Sequence, residues 1–194
     1  MRPRLVIFAK APRLGTVKTR LARDIGPVAA LQFYVNTMRR ITLRLARDPR
    51  WDTVLAVTPG SGGWPAGVSR IAQGTGDLGD RMDRVMRTAP PGPVVIIGTD
   101  IPDIEPRHIA SAFARLGDHQ AVFGPADDGG YWLIGLRRRP FTPRLAGPVR
   151  WSTEHALADT RRLLGAGVTT AMLETLTDVD DGAGLARWQD ARRR

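Results

Sequence analysis

The sequence predicts an α/β fold in three layers, α/β/α, with a mainly parallel sheet between two layers of helices. Two observations indicate this fold. Short apolar runs typical of buried strands recur along the 194 residues, and segments with apolar residues at three- and four-residue spacing separate them. Strands that alternate with helices form parallel sheets covered on both faces. We expect residues 1–194 to form a single domain.

Seven short runs are predicted to be strands. The run at 94–97 is wholly apolar, which is typical of a strand at the centre of a parallel sheet. The others lie at residues 5–9, 53–58, 68–72, 121–123, 131–136 and 168–173.

Helices are predicted between these strands from their spacing and their end signals. The longest covers residues 27–48, with Pro27 in its first turn and Pro49 just beyond its end. Asp77 is expected to cap a helix that runs to about Thr88, with Asp80 in the capping-box position. The remaining helices are expected at 106–116, from a cap at Ser152 or Thr153 to 164, and after Gly182.

Composition excludes several classes of protein. No run of about 18 apolar residues is present, and the absence of cysteine excludes disulfides and thiolate metal sites. We expect a cytoplasmic protein with no membrane partner. The net charge of +10 is also found in nucleic-acid-binding proteins, but the arginines are spread along the whole chain and the few aromatics are not interleaved with them. We therefore expect no nucleic-acid partner, and the sequence carries no strong signal for oligomeric state.

The loop after the first predicted strand is the first candidate for a ligand site. Among 29 basic side chains only Lys10 and Lys18 are lysine, and both lie in this loop. Ligands bind at the carboxyl ends of parallel strands. Gly15 would let the backbone approach a phosphate, and Lys10, Lys18 and Arg20 would offset its charge. The alternative is a solvated loop.

A glycine-rich segment follows the third predicted strand. Gln73 could pair with a nucleobase, and Gly74 and Gly76 leave the backbone beside it exposed. The alternative is a plain turn into a helix capped by Asp77.

Acidic residues follow the central and the last predicted strands. Asp100 is placed to hold Mg²⁺ or Mn²⁺ through oxygen, although an Asx turn is the alternative. Asp178, Asp180 and Asp181 either cap a helix or supply a second metal ligand facing Asp100.

The segment at 126–132 lies between two predicted strands and joins two acids to two aromatics. Asp128, Gly129 and Tyr131 suit a sugar or another hydroxylated acceptor, whereas an Asp-Gly pair is also typical of a hairpin turn.

Taken together and in this order, the motifs resemble those of the nucleotide-diphospho-sugar transferase superfamily. The closest likeness is to a bacterial glycosyltransferase-like subgroup related to the molybdenum-cofactor and phospholactate guanylyltransferases. The subgroup pattern K-x-P-x-x-G-x-x-K-T-R-L is matched at residues 10–21. The other matches are Q-x-x-G-D-L-G-x-R-M at 73–82, G-T-D-x-P at 98–102, D-G-G-Y at 128–131 and W-S-T at 151–153.

The resemblance implies a Rossmann-like GT-A fold and a set of roles. Lys18 and Arg20 would hold nucleotide phosphates, and the segment from Gln73 to Asp77 would meet the nucleobase. Asp100 and Asp180 would hold Mg²⁺ or Mn²⁺. Trp151 would join the acceptor or sugar site. Many relatives read D-x-D-T-P-E-D-L near the end, and this chain departs from that pattern after Asp180.

Three functions follow from these observations. The first is metal-dependent glycosyl transfer from a nucleotide sugar to a small-molecule acceptor. The second is nucleotidyl transfer, guanylyltransferase-like, with release of pyrophosphate, which the basic first loop favours. The third is non-catalytic binding of a nucleotide or nucleic acid, which the positive charge would favour. Of these we expect the first.

Overall fold

The computed structural model describes residues 2–60 and 62–193, and its centre is a sheet of seven strands. In chain order the strands are β1 (Arg4–Ala9), β2 (Asp52–Val57), β3 (Ser69–Ala72), β4 (Val94–Ile97), β5 (Ala121–Pro125), β6 (Tyr131–Leu136) and β7 (Thr170–Met172). They are arranged in the order β3-β2-β1-β4-β6-β5-β7. Strand β6 is antiparallel to β4 and β5, and the other pairs are parallel.

Helices cover both faces of the sheet. They are α1 (Thr19–Ile25), α2 (Pro27–Ala46), α3 (Leu78–Thr88), α4 (Pro106–Arg115), α5 (Ala156–Leu164) and α6 (Gly182–Ala191). Leu5 and Ile7 of β1 pack in a core with residues of α2 and α4, whereas Val6 packs in a second core with residues of α3 and α5. Alternate residues of one strand thus serve opposite cores, and the predicted three-layer fold is confirmed.

The reversed direction of β6 matters for the site. Because β6 is antiparallel, its first residue, Tyr131, lies at the edge where the parallel strands end. The turn between β5 and β6 therefore joins the loops that follow β1 and β4 at one edge of the sheet.

The start of helix α5 differs from the prediction. Helix α5 begins at Ala156, later than a cap at Ser152 or Thr153 would place it. The prediction was wrong because Ser152 has a left-handed backbone with φ of 60°. The Thr153 hydroxyl donates to the carbonyl of Arg150 and closes a turn before the helix. Helix α6, after the departure from the family pattern, begins at Gly182 and is capped by Asp181. Within the described part of the chain, no helix is long and apolar enough to cross a bilayer.

Candidate functional site

Two adjoining cavities open at the edge where the parallel strands end. The first cavity, of about 330 Å³, lies over the ends of β1 and β4, and its polar lining includes Lys10, Lys18, Tyr34 and Gln73. The second cavity, of about 300 Å³, lies beside it. Several residues line both cavities, and they include Leu78, Gly98, Asp100, Tyr131, Trp132 and Ser152.

The second cavity is rich in acids. Asp100, Asp128, Asp178 and Asp180 line it, together with Arg20 and the aromatic side chains of Tyr131, Trp132 and Trp151. Acids that are far apart in the sequence therefore meet on one side of Asp100.

Lys18 supplies the positive charge between two of these acids. Its Nζ lies 2.6 Å from Oδ1 of Asp100 and 2.6 Å from Oδ1 of Asp180, and its side chain is only 3% exposed. Burial disfavours the ammonium form, but the two carboxylates outweigh burial and raise the pKa of Lys18. Arg20 is more distant, with a guanidinium nitrogen 3.8 Å from Oδ2 of Asp180.

Backbone contacts hold the two carboxylate loops together. Asp100 comes just after β4, and its carbonyl accepts a hydrogen bond of 3.2 Å from the amide of the fully buried Val179. The Asp24 carboxylate of α1 accepts a hydrogen bond of 2.7 Å from the amide of Gly182. Asp180 is therefore fixed between a link to β4 and a link to α1, opposite Asp100.

The ionisation of the acids reflects their crowding. Burial opposes ionisation of Asp180, but the Lys18 ammonium outweighs burial and lowers the pKa of this carboxyl. Burial, together with the nearby charges of Asp180 and Asp128, raises the pKa of Asp178 to about 7. This edge of the sheet carries more negative charge than Lys18 alone offsets.

The Asp100 and Asp180 carboxylates fit the predicted metal. Their Oδ1 atoms converge on one cationic atom, and carboxylate oxygen is the ligand that Mg²⁺ and Mn²⁺ prefer. Among the described residues, no group of three or more acids, histidines or cysteines is arranged around one metal position. Mg²⁺ is commonly bound by one or two carboxylates, with waters and substrate phosphates as its other ligands. Two carboxylates therefore suffice.

The first loop is fastened to α2 beside the first cavity. The Tyr34 hydroxyl accepts a hydrogen bond from the amide of Lys10 and donates one to the Lys10 carbonyl, each 2.8 Å long. Burial raises the pKa of Tyr34 to about 12, so the hydroxyl keeps its proton at neutral pH. The amide of Ala11 donates to the hydroxyl of Thr58 over 2.8 Å. These contacts fix the course of the chain as it leaves β1.

Gln73 lines the first cavity and also forms hydrogen bonds to two strands of the sheet. Its side chain is buried, and its Nε2 donates to the carbonyl of Ala9 over 3.2 Å and to that of Ala56 over 2.9 Å. Both amide protons are therefore used to join the ends of β1 and β2. A nucleobase could meet only the Oε1 of Gln73.

Five of the predicted site residues, all in the described part of the chain, line neither cavity: Gly15, Gly74, Gly76, Asp77 and Gly129. Asp77 caps α3, since its carboxylate accepts from the amide of Asp80 over 2.9 Å. Gly76 has φ of 96°, and a Cβ there would overlap the Asp80 side chain. The capping turn therefore accounts for Gly76 and Asp77.

The predicted acceptor residues come from two segments, the turn that leads into β6 and the segment before α5. Asp128 and Trp151 line the second cavity, and Gly129 packs against the backbone of Glu154, where a Cβ would come within 2.3 Å of the Glu154 carbonyl. Tyr131 lines both cavities, but its hydroxyl lies 3.3 Å from that of Thr160, on the side of α5. A sugar could meet the ring of Tyr131 but not its hydroxyl.

The structure adds two residues that the sequence did not single out. Tyr34 belongs to the apolar periodicity of α2, so its role at the loop has no local signal. Ser152 lines both cavities and has an uncommon backbone for a residue other than glycine. Its one signal is its place in the W-S-T motif, which we interpreted through Trp151.

The sequence matches one family model, described as "Uncharacterized protein conserved in bacteria (DUF2064)", over residues 33–153. The chain belongs to this family. No curated protein matches the sequence.

Solved structures agree with the predicted fold. A candidate nucleotide-diphospho-sugar transferase from Desulfovibrio desulfuricans G20 is 29% identical with a TM-score of 0.88, over 100% of this chain and 89% of that one. A CMP:2-keto-3-deoxy-manno-octonic acid synthetase complexed with CTP is 14% identical with a TM-score of 0.62, over 100% and 99% of the two chains.

A third solved structure shares the fold at lower similarity. It is the glucosyl-3-phosphoglycerate synthase of Mycobacterium tuberculosis, in complex with Mn²⁺, UDP and glucosyl-3-phosphoglycerate. It is 11% identical with a TM-score of 0.52, over 91% of this chain and 70% of that one. The comparisons confirm the predicted fold, the resemblance to nucleotide-diphospho-sugar transferases and the prediction that the chain is a transferase.

Proposed function

We propose that this DUF2064 protein is a divalent-metal-dependent glycosyltransferase that moves a sugar from a nucleotide sugar to a hydroxylated small-molecule acceptor. One observation carries the proposal: two cavities meet at Asp100, and they differ in charge. The first would take the nucleotide of the donor, and the second the acceptor.

The first cavity suits a nucleotide. Phe8 and Met82 supply apolar walls for a base, and Lys18 stands at the boundary with the second cavity. Phosphates at that boundary would lie near Lys18, Arg20 and the Asp100–Asp180 pair. Asp100 and Asp180 would hold the divalent ion, which supplies charge that offsets the leaving diphosphate. The M. tuberculosis synthase with the same fold contains Mn²⁺ and UDP.

The second cavity suits a neutral, hydroxylated acceptor better than an anionic one. Even with a divalent ion on Asp100 and Asp180, the two other acids, Asp128 and Asp178, face a single arginine, so a phosphate group entering there would meet no surplus of positive charge. Sugar hydroxyls donate hydrogen bonds to carboxylates and pack on aromatic rings such as those of Trp132 and Trp151. Asp128 is exposed at its mouth and would accept the proton of the attacking hydroxyl.

Glycosyl transfer replaces one bond at the anomeric carbon of the donor with another. An acceptor oxygen forms a bond to the anomeric carbon, the bond from that carbon to the diphosphate oxygen breaks, and a nucleoside diphosphate leaves. Lys18 and Arg20 would offset charge on that diphosphate, and most of the rate enhancement would come from positioning and electrostatics.

Nucleotidyl transfer is the second candidate, because one observation favours it. The first loop brings Lys10 and Lys18 to the first cavity, and two lysines suit a triphosphate. The synthetase with the same fold is complexed with CTP. In that reaction the acceptor carries a phosphate, which the acids of the second cavity disfavour.

Identification of the released product separates the two candidates. The protein is incubated with Mn²⁺, a panel of nucleotide sugars labelled in the sugar, and sugar or polyol acceptors, and in parallel with nucleoside triphosphates and sugar phosphates. We expect the label in a new glycoside and release of a nucleoside diphosphate. Release of pyrophosphate from a nucleoside triphosphate would instead establish nucleotidyl transfer and overturn the proposal.

A further inference from the structure

Lys18 is engaged in a way that conflicts with a role on donor phosphates. Its ammonium lies 2.6 Å from a carboxylate oxygen on either side, and the side chain is almost wholly covered. A lysine held so closely cannot contact a phosphate unless it leaves the carboxylates. The position that it occupies is also the point on which the Asp100 and Asp180 oxygens converge.

We propose that Lys18 is a built-in counter-ion that exchanges with the divalent cation. In the donor-free protein the ammonium occupies the cation position between Asp100 and Asp180. When the cation enters, the ammonium leaves the carboxylates, and where a donor is bound it moves to the donor phosphates. This inference rests on the proposed function for its donor, but the exchange itself concerns only Lys18, the carboxylates and the ion.

Electrostatics makes the two cations mutually exclusive at this position. Two carboxylate oxygens that share one nitrogen at 2.6 Å are within twice that distance of each other, and they repel unless a cation lies between them. An ammonium and a divalent ion at the same point would in turn repel strongly. The phosphates of the donor supply the negative charge that Lys18 loses. Donor and metal should therefore bind cooperatively, each favouring the other.

The choice of residue and its backbone agree with an exchange. A lysine is a compact charge on a flexible stem, whereas an arginine is a planar fork that prefers one orientation. All other basic residues outside this loop are arginine. Lys18 also has a left-handed backbone, with φ and ψ both 48°, at the start of α1. Such conformations in residues other than glycine cluster at functional sites.

Nitrogen-15 labelling of lysine tests the exchange in the unaltered protein. Only Lys10 and Lys18 would give side-chain NMR signals, and a Lys10→Met variant assigns them. The Lys18 ammonium, covered and ion-paired, should give a slowly exchanging signal. Titration with Mg²⁺ alone should remove or shift that signal saturably and leave that of the exposed Lys10 in place. A Lys18 signal unchanged at high Mg²⁺ overturns the inference.

Mn²⁺ binding to variants gives a second test that does not depend on activity. Free Mn²⁺ is followed by electron paramagnetic resonance as it is added to the nucleotide-free protein. Lys18→Met should bind Mn²⁺ at least about tenfold more tightly than the unaltered chain, because the competing charge is gone. Lys10→Met is the matched control and should bind like the unaltered chain. Equal or weaker binding by Lys18→Met contradicts the exchange.

Failure of the exchange and failure of the proposed function are distinguishable. If a glycoside forms but Mg²⁺ does not change the Lys18 signal, the proposed exchange is wrong and the proposed function stands. If Lys18→Met gains Mn²⁺ affinity but no nucleotide sugar is consumed, the exchange stands and the function is wrong. Where Lys18→Met fails to fold, the NMR titration of the unaltered chain decides alone.

Discussion

The two cavities meet at Asp100 but satisfy their polar groups in different ways. In the first cavity, side chains form hydrogen bonds with backbone atoms. Tyr34 bonds to the amide and the carbonyl of Lys10, and Gln73 bonds to the carbonyls of Ala9 and Ala56. In the second, carboxylates gather and depend on Lys18 for charge. Hydrogen bonds to the backbone fix the shape of the first cavity, whereas the second cavity gathers carboxylates whose charge Lys18 offsets in part.

This difference predicts two kinds of mutational effect. Substitutions that remove the hydrogen bonds of Tyr34 or Gln73 in the first cavity should lower the free energy of unfolding. They should also weaken donor binding, because the loop after β1 becomes less ordered. Changes among the acids of the second cavity should lower turnover with little loss of stability, because crowded carboxylates stabilise the fold weakly or not at all.

The largest effect is expected at the boundary between the cavities. Asp100→Asn removes one of the two proposed metal ligands, so kcat/KM for release of nucleoside diphosphate in Mn²⁺ should fall by about a hundredfold or more. The control is Asp103→Asn, in the same loop, where the carboxylate accepts a hydrogen bond from the Trp188 indole. If both variants lose activity equally, Asp100 has no special role.

A loss of stability is expected from the brace of the first cavity. Gln73→Ala removes a donor from the buried carbonyls of Ala9 and Ala56, although that of Ala9 keeps its hydrogen bond from the amide of Thr58, so the free energy of unfolding should fall by about 1–3 kcal/mol. Denaturant unfolding measures it. Gln120→Ala is the matched control, because Gln120 makes its hydrogen bond at the surface and should cost less. Equal costs would mean that Gln73 is not a brace.

A smaller effect is expected at Tyr34. Tyr34→Phe keeps the ring but loses both hydrogen bonds to Lys10, which should cost about 1 kcal/mol of stability and weaken binding of the nucleotide donor. Tyr131→Phe removes a hydroxyl that lies near Thr160 and away from the loop. Calorimetric titration should show weaker donor binding for Tyr34→Phe only. Unchanged donor affinity in Tyr34→Phe would show that the hydrogen bonds between Tyr34 and Lys10 do not contribute to donor binding.

The smallest effect is expected at Asp159 of α5, which pairs with Arg150 in the segment that borders the second cavity. Hydrogen bonds from the Arg150 side chain hold the pKa of Asp159 well below its usual range. A lowered pKa means that this stabilisation is complete above the unfolded value of about 4 and is lost as the pH falls further.

Asp159→Asn should therefore lower Tm at pH 7, and its difference from the unaltered chain should shrink below about pH 4. Thermal melts across this range measure the difference, with the exposed Asp118→Asn as the control. A difference that stays constant from pH 7 to pH 3 would show that the charge of Asp159 is not the cause.

Sequence patterns predicted the layers but not every direction within the sheet. The apolar run at 94–97 correctly indicated a central strand, because burial on both faces requires apolar residues throughout. The antiparallel course of β6 has no such signal, since a buried strand looks the same in either direction. The late start of α5 depends on the backbone of Ser152, which local propensity does not determine.

In the site, too, sequence patterns indicated individual residues but not the contacts between them. Lys18, Asp100 and Asp180 could be singled out because each follows the end of a strand, where ligands bind. Their direct contact could not be predicted. It depends on the hydrogen bond from Val179 to Asp100, two residues that are 79 positions apart in the sequence. The double use of the Gln73 amide was hidden for the same reason, since its partners lie on two other strands.

Metal-dependent binding of a nucleotide sugar can be measured by a thermal-shift screen of nucleotides and nucleotide sugars in Mn²⁺. A ligand that binds the native state raises Tm according to its affinity and concentration. We expect a nucleotide sugar to raise Tm of the unaltered chain, and EDTA or Asp100→Asn to reduce the shift greatly. A shift of the same size in all three conditions, or no shift with any nucleotide sugar, would contradict it.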